Sequence, residues 1–261
     1  MDKRYQDQVV MITGAASGFG KMAAERFAAE GAKLALSDVS AEALDDVATT
    51  LRAGGADVIM DVMDVSDESQ VNAHAAHIQD SFGALNVGIN NAGIGHDLAP
   101  LHLLSVEDFD RNYAVNARGV FLCMKAQVPM MLAAGKGVIL NVASAAGLVG
   151  ASQLSGYAAA KHAVVGLTRA AADEYARKNI RVNALCPAFT VTPLVEEMAE
   201  QVSARGGISR EQALGHIASR IPMARVAQPE EIVQAMLWAC APENSFMTGQ
   251  ALALDGGLTA V

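Results

Sequence analysis

The chain has 261 residues, a formal charge of −9 and an apolar fraction of 52%, enough to fill the core of one α/β domain. Its basic residues form no cluster, which argues against nucleic acid or an anionic membrane surface as a partner. No long run lacks polar groups, the N-terminal segment leads into a glycine loop rather than a cleavage site, and three scattered cysteines sit in apolar contexts, so the expectation is a cytoplasmic protein without spanning helix, signal peptide, disulfide framework or thiolate metal site.

In chain order, VVMIT (9–13) reads as a buried strand, and a glycine turn leads from it into a helix reaching about Glu30. KLALSD (33–38) is the second strand, and 41–55 a helix ended by glycines. Residues 57–65 read as a strand, and the helix after it runs to about Phe82. LNVGINNAG (85–93) is the next strand and turn, weakened inside by Gly88. A long helix over about 106–134 precedes a strand at 137–144, and a helix opening at Ser155 precedes IRVNALCP (180–187). A helix over 229–241 and a strand over 250–255 complete the series. Continuous apolar strands alternating with helices predict one α/β domain over 1–261, a Rossmann-type doubly wound parallel sheet with helices on both faces. Residues 190–227 break the alternation with two short helical patterns around Gly206-Gly207. Ligands of open α/β sheets bind beyond the carboxyl ends of the strands, so this insertion is expected to be a lid over a substrate.

The loop TGAASGFG (13–20) follows the first strand and opens a helix. Gly14, Gly18 and Gly20 allow a tight turn and close backbone approach, and the helix N-terminus offers free N–H groups to a pyrophosphate. Ser17 can add a hydroxyl, and Phe19 lies within the same turn. The spacing is GxxxGxG, and its place directly after a first strand is what favours phosphate over an ordinary sharp turn. Asp38 ends the second strand, where a carboxylate binds both ribose hydroxyls of NAD and repels the 2′-phosphate of NADP. The alternative for Asp38, a helix N-cap, is better met by Ser40. Asp64, Val65, Asn91, Ala92 and Gly93 stand at the next two strand ends, where an adenine and its ribose would rest; turn chemistry is the competing account of each.

Ser144 ends the strand GVILNVAS, and Tyr157 and Lys161 lie one turn apart on the following helix. Loss of hydride from an alcohol carbon requires a base at its oxygen. A tyrosine, with an ordinary pKa of about 10, serves only if a neighbouring cation stabilises the phenolate. Lys161 is expected to lower the phenol and to reach nicotinamide ribose hydroxyls, while Ser144 holds the substrate oxygen. An isolated YxxxK would more often be two side chains covering a helix flank.

With TGAASGFG, Asp38, NNAG, Asn116 in NYAVNARG, Ser144, YAAAK, RVNALCPAFTVTP and MTGQALALDGG in this order, the chain resembles the short-chain dehydrogenase/reductase family in its NAD-dependent form. The resemblance implies catalytic roles for Asn116, Ser144, Tyr157 and Lys161, with Asn116 holding a water that links Lys161 to solvent. It also implies that Thr192 and the backbone near Thr190 hold the nicotinamide carboxamide, with Pro187 shaping that turn, and that the protein is a homotetramer. Pro187-Ala188 replaces the family's usual Pro-Gly, and Asn86 and Gly88 replace an Asp and an apolar residue.

The expected function is the NAD-dependent interconversion of a secondary alcohol and its ketone. The alternative is a non-catalytic NAD-binding sensor on the same fold, which has no need of the serine, tyrosine and lysine together. His96, Ala146, Leu154, Ala188 and Leu194 are candidate substrate contacts, mostly small or apolar, and favour a small, largely apolar or cyclic alcohol. His74 and His77 lie three apart on a helix with no acidic or third histidine partner at recognisable spacing, so they are expected to be solvated helix residues and no metal is expected. The serine-hydrolase motif GxSxG is absent.

Overall fold

The computed structural model describes residues 3–260, the side chains at 193 and 194 excepted. Seven parallel strands form one sheet in the order β3-β2-β1-β4-β5-β6-β7. They are β1 (Val9–Thr13), β2 (Lys33–Asp38), β3 (Val58–Val62), β4 (Val87–Asn90), β5 (Gly137–Val142), β6 (Ile180–Pro187) and β7 (Ala251–Leu254). Beside them run α1 (Gly18–Ala29), α2 (Ala41–Ala53), α3 (Glu68–Phe82), α4 (Val106–Tyr113), α5 (Val120–Ala134), α6 (Ser155–Tyr175), α7 (Pro193–Gly206), α8 (Arg210–Ser219) and α9 (Pro229–Cys240). The doubly wound fold expected from the alternation is the fold observed.

Strand alternation sorts the apolar residues into two cores. Along β1, Val10 and Ile12 join Phe27 of α1, Leu44 of α2 and Met236 of α9 on one face. Val9 and Met11 join Ile78 of α3, Met131 of α5 and Val164 of α6 on the other. The strand order reverses between β1 and β4, and the crevice at that switch point is where the glycine loop and NNAG meet.

Several boundaries differ from the sequence expectation. The strand expected over 57–65 pairs only at Val58–Val62, because β3 is an edge with β2 as its one neighbour. The strands at 137–144 and 250–255 are likewise trimmed, to Gly137–Val142 and Ala251–Leu254. The helix expected over 106–134 is broken by a π-helical turn, Ala114–Gly119, between α4 and α5. Gly119 lets that turn approach Val65: a Cβ there would stand 2.7 Å from Val65 Cγ2. Gly88 is explained as well, since a Cβ at that position would meet Gln127 Cδ at 2.6 Å.

The insertion forms α7 and α8, which share a small apolar core of Ala199, Ala213 and Ile217. Its base is closed by a parallel bridge between Thr190 and Ala227. All three cysteines are free and buried. No helix among the described residues is long and apolar enough to cross a membrane.

Candidate active site

The glycine loop is shaped for close approach. Gly14 adopts φ +66°, and a Cβ on it would lie 2.8 Å from Ala92 Cα; on Gly20 it would lie 1.9 Å from the Gly14 carbonyl oxygen. The first approach holds the loop against NNAG and the second folds the loop on itself. Gly18 differs: its φ is +48°, but a Cβ would meet nothing within 4 Å, so its outer side is open. Ser17 is the N-cap of α1 and makes no side-chain cap bond, which leaves its hydroxyl and the first N–H groups of the helix for an anion. Phe19 is half-buried and packs back on the core. An open loop over a helix N-terminus, clamped from behind, fits a dinucleotide pyrophosphate.

Asp38 ends β2 beside this loop. Its Oδ2 accepts from Ala16 N at 3.0 Å and its Oδ1 from Ser40 N at 3.0 Å. Ser40 is the N-cap of α2 but makes no side-chain cap bond, so the carboxylate of Asp38 takes over part of the local turn chemistry assigned to it. Each carboxylate oxygen keeps lone-pair capacity for a ribose hydroxyl. Asp64 Oδ1 accepts from the backbone N and the hydroxyl of Ser66, both at 2.8 Å, and Val65 is buried. Asn91 Nδ2 donates to the carbonyls of Thr13 and Gly14 at 3.0 and 3.1 Å, stitching the glycine loop to β4. Ala92 N donates to Thr13 Oγ1 at 3.0 Å.

Ser144, Tyr157 and Lys161 converge beyond β5. Ser144 Oγ accepts from Ala146 N at 3.2 Å and donates to the Pro187 carbonyl at 3.5 Å. Lys161 is 3% exposed, donates from Nζ to the Val142 carbonyl at 2.8 Å, and lies over the Tyr157 ring 5.5 Å from its centroid. Burial pulls the Lys161 ammonium down from 10.5 to about 8, while nearby Cys186 acts the other way. Burial also pushes the Tyr157 phenol above its ordinary 10.0; a hydrogen bond with Ser144 opposes the rise and Cys186 adds to it. The expectation that Lys161 holds the phenol below its ordinary value is therefore not met: burial dominates, and the opposing influence comes from Ser144. The Tyr157 side chain as a whole is half-buried.

Asn116 sits in the π-helical turn and is fully buried. Its Oδ1 accepts from Ile94 N at 2.9 Å, and its Nδ2 donates to Ile94 O at 2.8 Å and to Asn112 Oδ1 at 2.7 Å. Gly93 separates it from Lys161: a Cβ there would stand 2.8 Å from Asn116 Oδ1 and 3.5 Å from Lys161 Nζ. A π-turn at a functional position is a recurring device, and here it turns an otherwise ordinary helical asparagine inward. Sequence reasoning passed over Asn112, although its i, i+4 spacing to Asn116 carried the signal. It also passed over Cys186, whose thiol burial pushes up to about 11.

The remaining candidates divide. Pro187 ends β6, Thr190 Oγ1 donates to Ala188 O at 3.1 Å, and Thr192 Oγ1 donates to Thr190 O at 3.2 Å as the N-cap of α7. Ala188 N donates to Leu254 O at 3.2 Å, and Leu154 is the N-cap of α6. His96 is buried, with Nδ1 against the Asp97 carbonyl at 2.8 Å and Nε2 lacking a partner among the described residues. The Leu194 side chain lies outside the described set. Helix α7 is fastened to the His96 loop: Gln201 Oε1 accepts from Leu98 N at 2.8 Å and its Nε2 donates to Asp97 Oδ1 at 2.8 Å.

One reading is corrected: His74 is buried rather than solvated, and both it and His77 pair with Asp61 of β3, at 2.6 Å from His74 Nδ1 and 2.8 Å from His77 Nδ1. Burial raises the Asp61 carboxyl, but its hydrogen bonds with the two histidines outweigh that and hold it below its ordinary value. Strand-to-helix pairing at this distance along the chain leaves no spacing motif. No group of three ligating side chains suited to a metal occurs among the described residues.

The family model described as "Enoyl-(Acyl carrier protein) reductase" matches residues 14–259. The chain is 41% identical over 261 residues to cis-4-hydroxycyclohexanecarboxylate dehydrogenase of Sinomonas cyclohexanicum, covering 100% of both chains. It is 37% identical over 259 residues to cyclohexanol dehydrogenase of Acinetobacter sp. (strain SE19), covering 99% of this chain and 98% of that one. The crystal structure of levodione reductase superposes with a TM-score of 0.94 at 38% identity, over 99% of this chain and 100% of that one. Relatives of this kind are oxidoreductases acting on CH–OH groups with nicotinamide cofactors. With the strand order, the glycine loop and these full-length matches together, the chain belongs to the short-chain dehydrogenase/reductase family.

Proposed function

We propose that this chain is an NAD-dependent dehydrogenase that interconverts a small, largely apolar or cyclic secondary alcohol and its ketone, with Tyr157 as the acid/base group. The observation that carries the reading is the convergence of Ser144, Tyr157 and a buried, carbonyl-held Lys161 at one strand end. NAD, when bound, supplies the hydride acceptor. Tyr157 gives its phenolic proton to a ketone oxygen in reduction; in oxidation it first passes that proton to neutral Lys161 and then takes the proton of the alcohol. Ser144 holds that oxygen. Lys161, at about 8, lies close enough to neutrality to exchange a proton, and Asn116 with Asn112 forms the polar path on its far side. Asp38 favours NAD over NADP, with no Arg or Lys adjoining it in SDVSAE.

The small or apolar Ala146, Leu154 and Ala188, and two relatives named for alcohols on a cyclohexane ring, support the substrate class. Residues 190–227 act as the lid, with the Gln201 contacts as its latch. Exposed Phe109, Tyr113 and Phe121 on α4 and α5, and Trp238 on α9, support assembly as a homotetramer. A cytoplasmic location accords with the free cysteines. The test is NADH formation with a panel of cyclic and open-chain alcohols. Tyr157→Phe should lose about a hundredfold or more in kcat, and full activity in that variant overturns the assignment.

A further inference from the structure

A chain of buried polar side chains runs beneath the site, and nothing in the proposed chemistry uses it. Asn90 ends β4, Gln127 lies on α5, Asn141 precedes Val142 on β5 and Thr168 lies on α6; none is more than 2% exposed. Asn90 Nδ2 donates to Gln127 Oε1 at 3.2 Å, and Gln127 Nε2 donates back to Asn90 Oδ1 at 2.8 Å. Asn90 Nδ2 also donates to Asn141 Oδ1 at 2.8 Å. Asn141 Nδ2 donates to Thr168 Oγ1 at 2.9 Å, and the Thr168 hydroxyl donates to Val164 O at 2.8 Å. Four elements are joined by one set of mutually paired groups.

Its first member depends on a glycine. The Gln127 head occupies the space a side chain at residue 88 would fill: a Cβ there would stand 2.6 Å from Cδ, 2.7 Å from Nε2 and 2.8 Å from Oε1. Gly88 and Gln127 are thus one unit, an amide inserted where two apolar side chains would otherwise pack.

We infer that Gln127 is a positioning residue for Lys161, fixing the register of α6 against β5 through Asn90, Asn141 and Thr168. The two elements are pinned at two levels. The lower pin is the Asn141–Thr168 bond; the upper is Lys161 Nζ on the carbonyl of Val142, the residue next to Asn141. Thr168 follows Lys161 by seven residues, two helical turns, so both face the sheet from one side of α6. A slide or rotation of α6 at the lower pin changes the reach of Lys161 and moves Tyr157 relative to Ser144. Fully paired amides admit one arrangement where an apolar contact would admit several. Without Gln127, the Asn90 amide keeps Asn141 as its one side-chain partner and is free to turn away from it.

The inference rests on Lys161 being part of the proposed machinery, and the experiment separates the two. Gln127→Met keeps length without the bonds, Gly88→Ala pushes the Gln127 head aside, and Lys161→Met is the control. Kinetics with NAD and cyclohexanol, below each variant's melting transition, should show kcat lower by about tenfold for Gln127→Met and Gly88→Ala, with KM for NAD changed less than about twofold. Gln127→Glu should match wild type at acid pH, where the buried carboxyl keeps its proton and reproduces donor and acceptor. It should fall to the Gln127→Met level as pH rises and the acid ionises. Independently of turnover, NMR of 13C-labelled lysine should show the Lys161 titration, facing Tyr157 and Cys186, move from about 8 towards 10.5 in Gln127→Met as water reaches it. Wild-type kcat and an unmoved Lys161 titration in Gln127→Met or Gly88→Ala, beside an inactive Lys161→Met, overturn the positioning role alone. A fully active Lys161→Met overturns the proposed function and the inference with it.

Discussion

Lys161→Met is expected to stabilise the protein while ending its catalysis. The Lys161 ammonium is 3% exposed and held by one carbonyl, that of Val142, at 2.8 Å. Burial lowers it from 10.5 to about 8, which corresponds to about 3 kcal/mol against the charged form in the native state. Methionine nearly matches the lysine stem without the charge. Its cost is the unpaired Val142 carbonyl, about 1 kcal/mol, leaving a net gain of about 2 kcal/mol near neutral pH. The pH dependence fixes the sign. Between about 8 and 10.5 the unfolded chain still holds a proton that native Lys161 has lost, so wild-type stability rises with pH across that window. Below the window both states are protonated and the full penalty is present; above it the penalty is gone and the lost hydrogen bond favours wild type. Urea unfolding of both proteins at equal concentration, near neutrality and above pH 10.5, should show the advantage of Lys161→Met vanish or reverse. A variant less stable near neutrality, or an advantage equal at both pH values, refutes the argument that buried charge is the cost this site carries.

Three further outcomes follow from the geometry. Asp38→Ala should lower kcat/KM with NAD by about tenfold or more, the scale of hydrogen bonds to a charged group, and raise the NADP-to-NAD ratio; unchanged selectivity would reject the assignment. Gly14→Ala forces a Cβ into φ +66° and to 2.8 Å from Ala92 Cα, and should cost about 2–4 kcal/mol of unfolding free energy in urea titration. A Gly14→Ala protein as stable as wild type would show that the loop is not clamped as described. Gln201→Ala removes both contacts between α7 and the His96 loop, so limited proteolysis over 193–219 should quicken and KM for the alcohol rise, with kcat changed less than about threefold; if cleavage and KM both stay at wild-type values, 190–227 is no lid.

Much of the fold was legible because its signals are local. Four apolar residues and a threonine in VVMIT, buried at every position, read as a strand covered on both faces, and the glycines of TGAASGFG read as a turn. Boundaries were lost where pairing decides them: residues 63–65 continue the pattern of β3, but β2 ends at Asp38, whose carbonyl takes the last bond, from Met63 N. The π-helical turn at Ala114–Gly119 carries only Gly119 as a local signal; what Gly119 permits is close approach to Val65, more than fifty residues away. Gly88 looked like a weakness in a strand until Gln127 was seen to fill its place.

The site divides in the same way. Which residues gather at the carboxyl edge followed from the sequence, because strand ends, helix starts and an i, i+4 pair are set by short-range geometry. The sign of the Tyr157 shift did not, since desolvation of the phenol depends on how the surrounding elements pack beside it. Nor did the Val142 carbonyl that holds Lys161, the Asp61 carboxylate between two histidines, or the Gln127 amide beneath the site. The sequence alone determines the order and type of elements and the chemistry available at each strand end. Desolvation and long-range hydrogen bonding are properties of the assembled packing, so the charge states of those groups and the exact reach of their side chains were decided by the tertiary structure.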